Sequence, residues 1–139
     1  MQVIQMQSTL KASHICNDLL NVDDQVLCVM ISDVKGEIVA IDWKKGRVPW
    51  EVNGVKAMEI FEDVESKLGM WTQIILGLAS QTAPLLGSFE RASFVHTKYQ
   101  LVLLGSLNQA NSIGLMVSRS TNIEHIISKV KDLTSIGEP

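Results

Sequence analysis

Residues 25–43 read QVLCVMISDVKGEIVAIDW, two apolar runs on either side of a short polar turn. The first run, residues 25–32, is apolar at both alternating sets of positions, which predicts a strand covered on both faces. Residues 33–36 form the turn, and Gly36 can take the positive φ of a bulged hairpin loop. Residues 37–43 then return antiparallel to the first strand. The segment therefore predicts a β-hairpin whose first strand lies in the centre of a sheet.

Helical spacing of apolar residues precedes and follows this hairpin. Between residues 8 and 20, apolar side chains recur three and four positions apart, at Ala12, Ile15, Cys16, Leu19 and Leu20. The same spacing continues over residues 55–81 and predicts one long helix or two, with Ser66 and Gly69 as candidate breaks. Pro84 and Gly87 are predicted to close this segment, because proline cannot donate into the helical ladder.

Three short β-like runs and a helix make up the C-terminal half. The runs at residues 89–96, 100–107 and 112–118 are separated by brief polar links, which predict an antiparallel meander. Thr121 and Glu124 match a capping box, and an apolar stripe at helical spacing follows until Gly137. We therefore predict one α/β domain of the α+β type over residues 1–139, in the order α-β-β-α-β-β-β-α. A single five-stranded, largely antiparallel sheet with helices on both faces satisfies all the apolar faces.

Composition and charge limit the classes of function. The chain has 139 residues, of which 46% are hydrophobic and 19% charged, and its net charge is −3. This is ordinary globular composition, and the negative charge disfavours nucleic acid as a partner in the absence of a local basic patch. Residues 1–10 lack the pattern of a signal peptide, and no apolar run reaches the length of a membrane span. We expect a cytoplasmic protein with no membrane partner.

The sequence contains no pattern of catalytic, cofactor-binding or metal-binding residues. Its nine glycines form neither GxGxxG nor a phosphate-binding loop. His14, His96 and His125 fall on different predicted elements and lack the spacing of a zinc site. Cys16 and Cys28 lie within apolar periodic segments, which predicts reduced, buried and unreactive thiols. The sequence therefore predicts a protein that is not an enzyme and holds no cofactor or metal.

Two stretches carry a family resemblance. Residues 32–41, SDVKGEIVAI, and residues 114–133, GLMVSRSTNIEHIISKVKDL, together with the element order, resemble the roadblock and dynein light-chain superfamily. The resemblance implies homodimers or heterodimers with a continuous sheet across the pair, acting as scaffolds or regulators of small GTPases. Residues 12–20 and 86–104 are also similar to small archaeal proteins of unassigned function. The long segment 44–65 departs from the superfamily pattern.

Two groups of residues are candidates for binding. The helix in residues 55–81 has more apolar surface than one sheet face readily covers, and we predict a homodimer interface at Met70, Trp71, Ile74, Ile75 and Leu78. A basic and aromatic loop follows the hairpin and is predicted to bind a partner through Trp43, Lys44, Lys45, Arg47 and Trp50. The competing interpretation of that loop is a solvated hairpin end whose tryptophans cover the core.

These observations favour a non-catalytic, dimeric protein-interaction module that acts as a scaffold or regulator of a small GTPase. The alternative is a small-ligand sensory domain of profilin-like or related α/β architecture, since a sheet covered by helices can enclose a pocket.

Overall fold

Five strands form one antiparallel sheet in the order β2-β1-β5-β4-β3. The computed structural model describes residues 2–44, 55–105 and 111–135, with the side chains of residues 11–44, 62–105 and 111–134. The helices are α1 (Gln2–Leu20), α2 (Val55–Leu86) and α3 (Ile123–Ser135). The strands are β1 (Val26–Ser32), β2 (Ile38–Trp43), β3 (Arg91–Val95), β4 (Tyr99–Leu104) and β5 (Ser112–Ser118). The predicted element order and the single antiparallel sheet are confirmed.

The hairpin that decides the fold forms as predicted. Every residue of β1 is buried, as expected for a central strand flanked by β2 and β5. Asp33 closes the turn by accepting hydrogen bonds at Oδ1 from the backbone N–H groups of Lys35 and Glu37. Gly36 has a φ of 86°, the left-handed conformation that the turn requires.

Helices α1 and α3 cover one face of the sheet, which we call face 1. The thiol of Cys16 donates to the carbonyl oxygen of Val29 at 3.5 Å, so α1 lies close above β1. Across this face the two helices and the three central strands share one buried core, which includes Cys16, Leu19, Val29, Ile31, Val102, Leu115, Val117, Ile126 and Val130. This core is the largest apolar cluster among the described side chains.

Helix α2 covers the opposite face, which we call face 2. Leu68 and Thr72 are buried against it, and Thr72 Oγ1 lies 4.0 Å from Met30 Sδ. The side chain of Met30 lies across Gly114 on β5 and occupies the space that a Cβ at that glycine would need. One layer of helix therefore packs on each side of the sheet.

Of the two alternatives for the second helix, one long helix is confirmed, and a break at Ser66 or Gly69 is wrong. Gly87 closes the helix as predicted, whereas Pro84 does not end it. Helix α2 is continuous over 32 residues and contains Pro84 in its last turn. Proline removes a single helical hydrogen bond there. Gly87 has a φ of 94°, the left-handed conformation that commonly ends a helix. The Gly87 N–H donates to the Ala83 carbonyl at 2.8 Å and closes the helix.

The predicted capping box at Thr121 and Glu124 is also wrong by one residue. Helix α3 begins at Ile123, and Asn122 Oδ1 accepts from the backbone N–H of His125 at 3.4 Å. Asn122 is therefore the N-cap, a position that asparagine occupies at least as well as threonine. The hydroxyl of Thr121 is instead buried, with no hydrogen-bond partner among the described residues.

Candidate interaction surface

The orientation of α2 on the sheet determines which of its side chains face outward. The backbone of Gln73 lies beside Gly36, and Gly69 lies beside the side chain of Ile38, so one flank of α2 faces the hairpin and β2. On the other flank the rings of Trp71 and Phe94 meet edge to face, with centroids 5.3 Å apart and an interplanar angle of 67°. This second flank therefore points toward β3, the strand at the far edge of the sheet.

Exposed apolar side chains follow Trp71 along this flank. Ile74 and Leu78 lie three and seven positions after Trp71, so they share its side of the helix. Their exposed fractions are 59% and 56%, and that of Met70, on the outer surface of α2, is 60%. Trp71 and Ile75 are half-buried against the sheet. Of the five predicted interface residues, three are thus exposed, and the other two are half-buried between them and the sheet.

Strand β3 leaves its backbone open at the edge beside this flank. The His96 N–H donates to the Tyr99 carbonyl at 2.8 Å, and the Gly105 N–H donates to the Glu90 carbonyl at 2.7 Å. Hydrogen-bonded and non-hydrogen-bonded pairs alternate in an antiparallel ladder, so even-numbered residues of β3 direct their backbone groups toward β4. The N–H and C=O groups of Arg91, Ser93 and Val95 consequently point outward from the sheet.

Phe94 joins the open edge to the apolar flank of α2, and the sequence analysis did not identify it. Its exposed fraction is 41%, and its ring lies on face 2 against Trp71. The sequence does contain an indication of an edge strand that is open to pairing. Residues 91–95, RASFV, contain no lysine or proline of the kind that usually protects such a strand. We call the surface formed by Trp71, Ile74, Leu78, Phe94 and the outward backbone of β3 the edge surface.

The predicted partner-binding loop is described only at its start. The indole N–H of Trp43 donates to Glu65 Oε1 on α2 at 2.9 Å, and Lys44 Nζ donates to the Asp23 carbonyl at 2.8 Å. Both side chains therefore help to hold the end of β2 to its neighbours. Lys45, Arg47 and Trp50 lie outside the described residues.

Both cysteines are buried free thiols, as predicted. Desolvation by burial raises the pKa of Cys16 to about 12, and the nearby Asp42 adds to this effect. Burial likewise raises the pKa of Cys28 well above its ordinary value. A thiol that stays protonated at neutral pH is a poor nucleophile and a poor metal ligand.

The described residues offer little for other chemistry. The three histidines are exposed, and the described histidine, cysteine and carboxylate side chains form no cluster of three that could hold a metal ion. A cavity between α2 and face 2, lined by Cys28, Met30, Leu68 and Met116, has a volume of about 10 Å³, enough for one water molecule. Metabolite pockets are typically at least about 300 Å³, so this cavity is too small for one. Within the described ranges, no helix combines the length and apolarity needed to cross a membrane.

Comparison with solved structures places this arrangement of sheet and helices among known folds. The chain superposes on MglB of Myxococcus xanthus with a TM-score of 0.59 at 15% identity, over 94% of this chain and 90% of that one. It superposes on the gliding protein MglB of Thermus thermophilus with a TM-score of 0.58 at 11% identity, over 89% and 85% of the two chains. For a Roadblock/LC7 domain of Streptomyces avermitilis the TM-score is 0.57 at 6% identity, over 88% and 92%.

The chain has a roadblock-like fold. Its sequence matches no protein-family model, and no curated protein is similar to it in sequence. The roadblock-like fold that the resemblance implied is therefore confirmed by three-dimensional similarity.

Proposed function

We propose that this roadblock-like protein is a non-catalytic interaction module that works as a homodimer, joined through the edge surface. The observation that supports this most directly is the adjacency of two unsatisfied features, an apolar helix flank and an open strand edge. Either feature alone is common, but together they match what a second copy of the same chain would cover.

A two-fold axis gives the strand edge a specific register. In an isologous pair, β3 lies antiparallel to its copy, and an axis through Ser93 sets Arg91 opposite Val95 of the second copy. All the outward N–H and C=O groups of Arg91, Ser93 and Val95 then find partners. Axes through the neighbouring positions leave some of these groups unpaired, so the register centred on Ser93 is the one we propose.

The same register brings the apolar side chains together on face 2. Phe94 stands opposite Ala92 of the second copy in a non-hydrogen-bonded pair, where Cα atoms are about 4.5 Å apart. The small alanine leaves room for the ring. Ile74, Leu78 and Phe94 are each about half exposed, so their burial contributes about 1 kcal/mol per side chain in each copy. Summed over both copies, this favourable free energy is comparable to the lower end of the free-energy cost of association. The hydrogen bonds between the two β3 strands add to the favourable sum.

Light scattering tests the dimer. We expect the wild type to have twice the chain mass of 15.4 kDa and Ile74→Glu to have the single mass, because a carboxylate on this flank would be desolvated. Ser80→Glu is the matched control, since Ser80 is exposed on the other flank of α2. A monomeric wild type at high micromolar concentration contradicts the proposal. Ile75→Glu should also dissociate the pair, but Ile75 is half-buried, so Ile74 gives the cleaner result.

Disulfide trapping tests the register. In a hydrogen-bonded antiparallel pair the Cα atoms are about 5.5 Å apart, which is within the range that a disulfide spans. Ser93→Cys should therefore form a covalent dimer on mild oxidation, while the buried native thiols stay reduced. Ala92→Cys is the control, because it faces position 94 rather than its own copy. Equal trapping of both variants would refute the register.

We further propose that the dimer acts as a scaffold or regulator of a small GTPase, a role implied by the superfamily resemblance. The loop from Trp43 to Trp50 is the proposed contact for an acidic or phosphate-bearing partner. Lys44 is better left unchanged in a test, because it holds the Asp23 carbonyl. Lys45→Glu with Arg47→Glu should weaken a GTPase recovered by affinity purification and leave the dimer mass unchanged. Unchanged affinity at low salt would remove the loop from this role.

A further inference from the structure

From the geometry of the open edge we infer that Ser93 is a phosphorylation site at which a phosphoryl group added to the free chain weakens dimer formation. This inference rests on the proposed homodimer and gives it a means of regulation. The hydroxyl acceptor, the access to it and the consequence of modifying it are each set by features of β3.

Ser93 is exposed and lies at the middle of β3. Its Cα partner on β4 is Val102, a residue of the face 1 core, so the hydroxyl lies on face 1 and away from α2. Its own backbone N–H and C=O point outward, which leaves the strand accessible along its whole edge in the free chain. Serine is the one hydroxyl residue in this five-residue strand.

A basic residue lies close before the acceptor in β3. Arg91 lies two positions before Ser93 on the same face of the strand, and charge patterns around the acceptor are a main source of kinase specificity. In the free chain the Arg91 guanidinium pairs with Glu124 on α3, and the exposed fractions of the two side chains are 42% and 67%. An exposed pair of this kind is weak and can yield Arg91 to a kinase.

The modification itself is an ordinary phosphoryl transfer from a nucleoside triphosphate. The Ser93 Oγ–P bond forms as the bond from the γ-phosphorus to the β,γ-bridging oxygen breaks. The hydroxyl proton passes to the catalytic base of the kinase, and the nucleoside diphosphate leaves. The product carries about −1.5 to −2 charges at neutral pH.

In the two-fold dimer the phosphate of one copy lies opposite the phosphate of the other, and the two repel each other. Ser93 faces Ser93 of the second copy, so two phosphates lie a few ångströms apart, and like charges directly opposite each other destabilise a strand pair. Coulomb repulsion between two such groups raises the dimer dissociation constant by about tenfold at low ionic strength, and salt reduces the effect. A single carboxylate per copy raises it by about threefold.

The experiment compares dimer dissociation constants by analytical ultracentrifugation at low and high salt. The samples are the wild type, Ser93→Ala, the chain with phosphoserine incorporated at position 93, and Ser128→Glu, which adds a charge on the exposed side of α3. We expect Ser93→Ala and Ser128→Glu to match the wild type. The phosphoserine chain should dissociate at least about tenfold more readily, with partial recovery at high salt.

Access to the edge is tested separately with ATP and an arginine-directed protein kinase. Phosphate should appear on Ser93 faster in the Ile74→Glu variant than in the wild type, because pairing covers the strand.

A dimeric wild type with an unchanged dissociation constant on phosphoserine incorporation overturns the inference and leaves the dimer intact. A monomeric wild type overturns the dimer and the inference together. A phosphoserine chain that pairs more tightly would show that Arg91 captures the phosphate across the interface, which also overturns it.

Discussion

Replacing Gly36 by alanine measures how closely α2 is held against the β1–β2 hairpin. Gly36 has a φ of 86°, and a Cβ built there would lie 3.0 Å from the Cα of Gln73 and 3.2 Å from its Cγ. Gly87 has a similar φ of 94°, but a Cβ at that position meets nothing within 4 Å. The two glycines therefore form a matched pair that differs in the contact with α2.

The expected losses of stability follow from this difference. An L-residue in the left-handed region costs about 1–2 kcal/mol, and this applies equally to Gly36→Ala and Gly87→Ala. The alanine also restricts the unfolded chain, an opposing effect that is the same at both sites. At Gly36 the added methyl group must in addition displace the backbone of α2, and such overpacking costs about 1–3 kcal/mol more. Gly36→Ala should lower the free energy of unfolding by about 2–4 kcal/mol and Gly87→Ala by about half as much or less.

Urea unfolding followed by far-ultraviolet circular dichroism, at one protein concentration for all variants, gives both values. The double variant Gly36→Ala with Gln73→Ala distinguishes the backbone contact from the side-chain contact. Removing Cγ leaves the Gln73 Cα in place, so the double variant should recover a minor part of the loss. Equal losses for Gly36→Ala and Gly87→Ala would refute the close approach of α2 to the hairpin.

Two further predictions concern titrating groups. The backbone N–H of Gln25 donates to Asp23 Oδ1 at 2.9 Å and holds the pKa of this carboxyl below its ordinary value. The carboxylate therefore stabilises the fold above the unfolded pKa of about 3.9, and this contribution is lost as pH falls through the folded pKa. Urea unfolding should show Asp23→Asn less stable than the wild type at neutral pH, with the gap closing in acid, and a constant gap would contradict this. Cys16 and Cys28 should react slowly with a thiol reagent in the native protein and rapidly in urea, and fast native labelling would show that they are accessible.

The sequence was sufficient for the elements and their order because each element has its own periodicity. Residues 25–32 are apolar at both alternating sets of positions, which suits a strand covered on both faces better than a strand with one face in solvent. The stripe that begins at Ile123 has helical spacing, and it forms α3. The short links between the last three runs required antiparallel neighbours, which the ladders of β3, β4 and β5 confirm.

The boundaries and the exposed side of α2 could not be obtained in the same way. Pro84 remains helical because it lies in the last turn of α2, where its missing N–H removes a single helical hydrogen bond. The spacing of apolar residues does not indicate which residue ends a helix. Met70 and Ile75 are both apolar, yet the first is exposed and the second half-buried. That difference depends on tertiary contacts that fix which side of α2 faces the sheet, among them the contact between Trp71 and Phe94, residues 23 positions apart. Phe94 was missed for the same reason.

The two edges of the sheet are unequal, and this inequality bears on the dimer that we propose. At one edge, β2 pairs with β1 through a register irregularity at Ile31 and Ser32 and has the charged Asp42 half-buried in the strand, both of which discourage further pairing. At the other edge, β3 pairs regularly with β4, and its one charged residue, Arg91, is exposed at the first position of the strand. If both edges were open, copies could add head to tail without limit and form a filament. With one open edge, pairing of β3 with its own copy uses the surface on both chains and ends there. The edges are thus consistent with the closed two-fold dimer that we propose. In that dimer Ser93 lies on the axis, so one modification per chain places two like charges opposite each other.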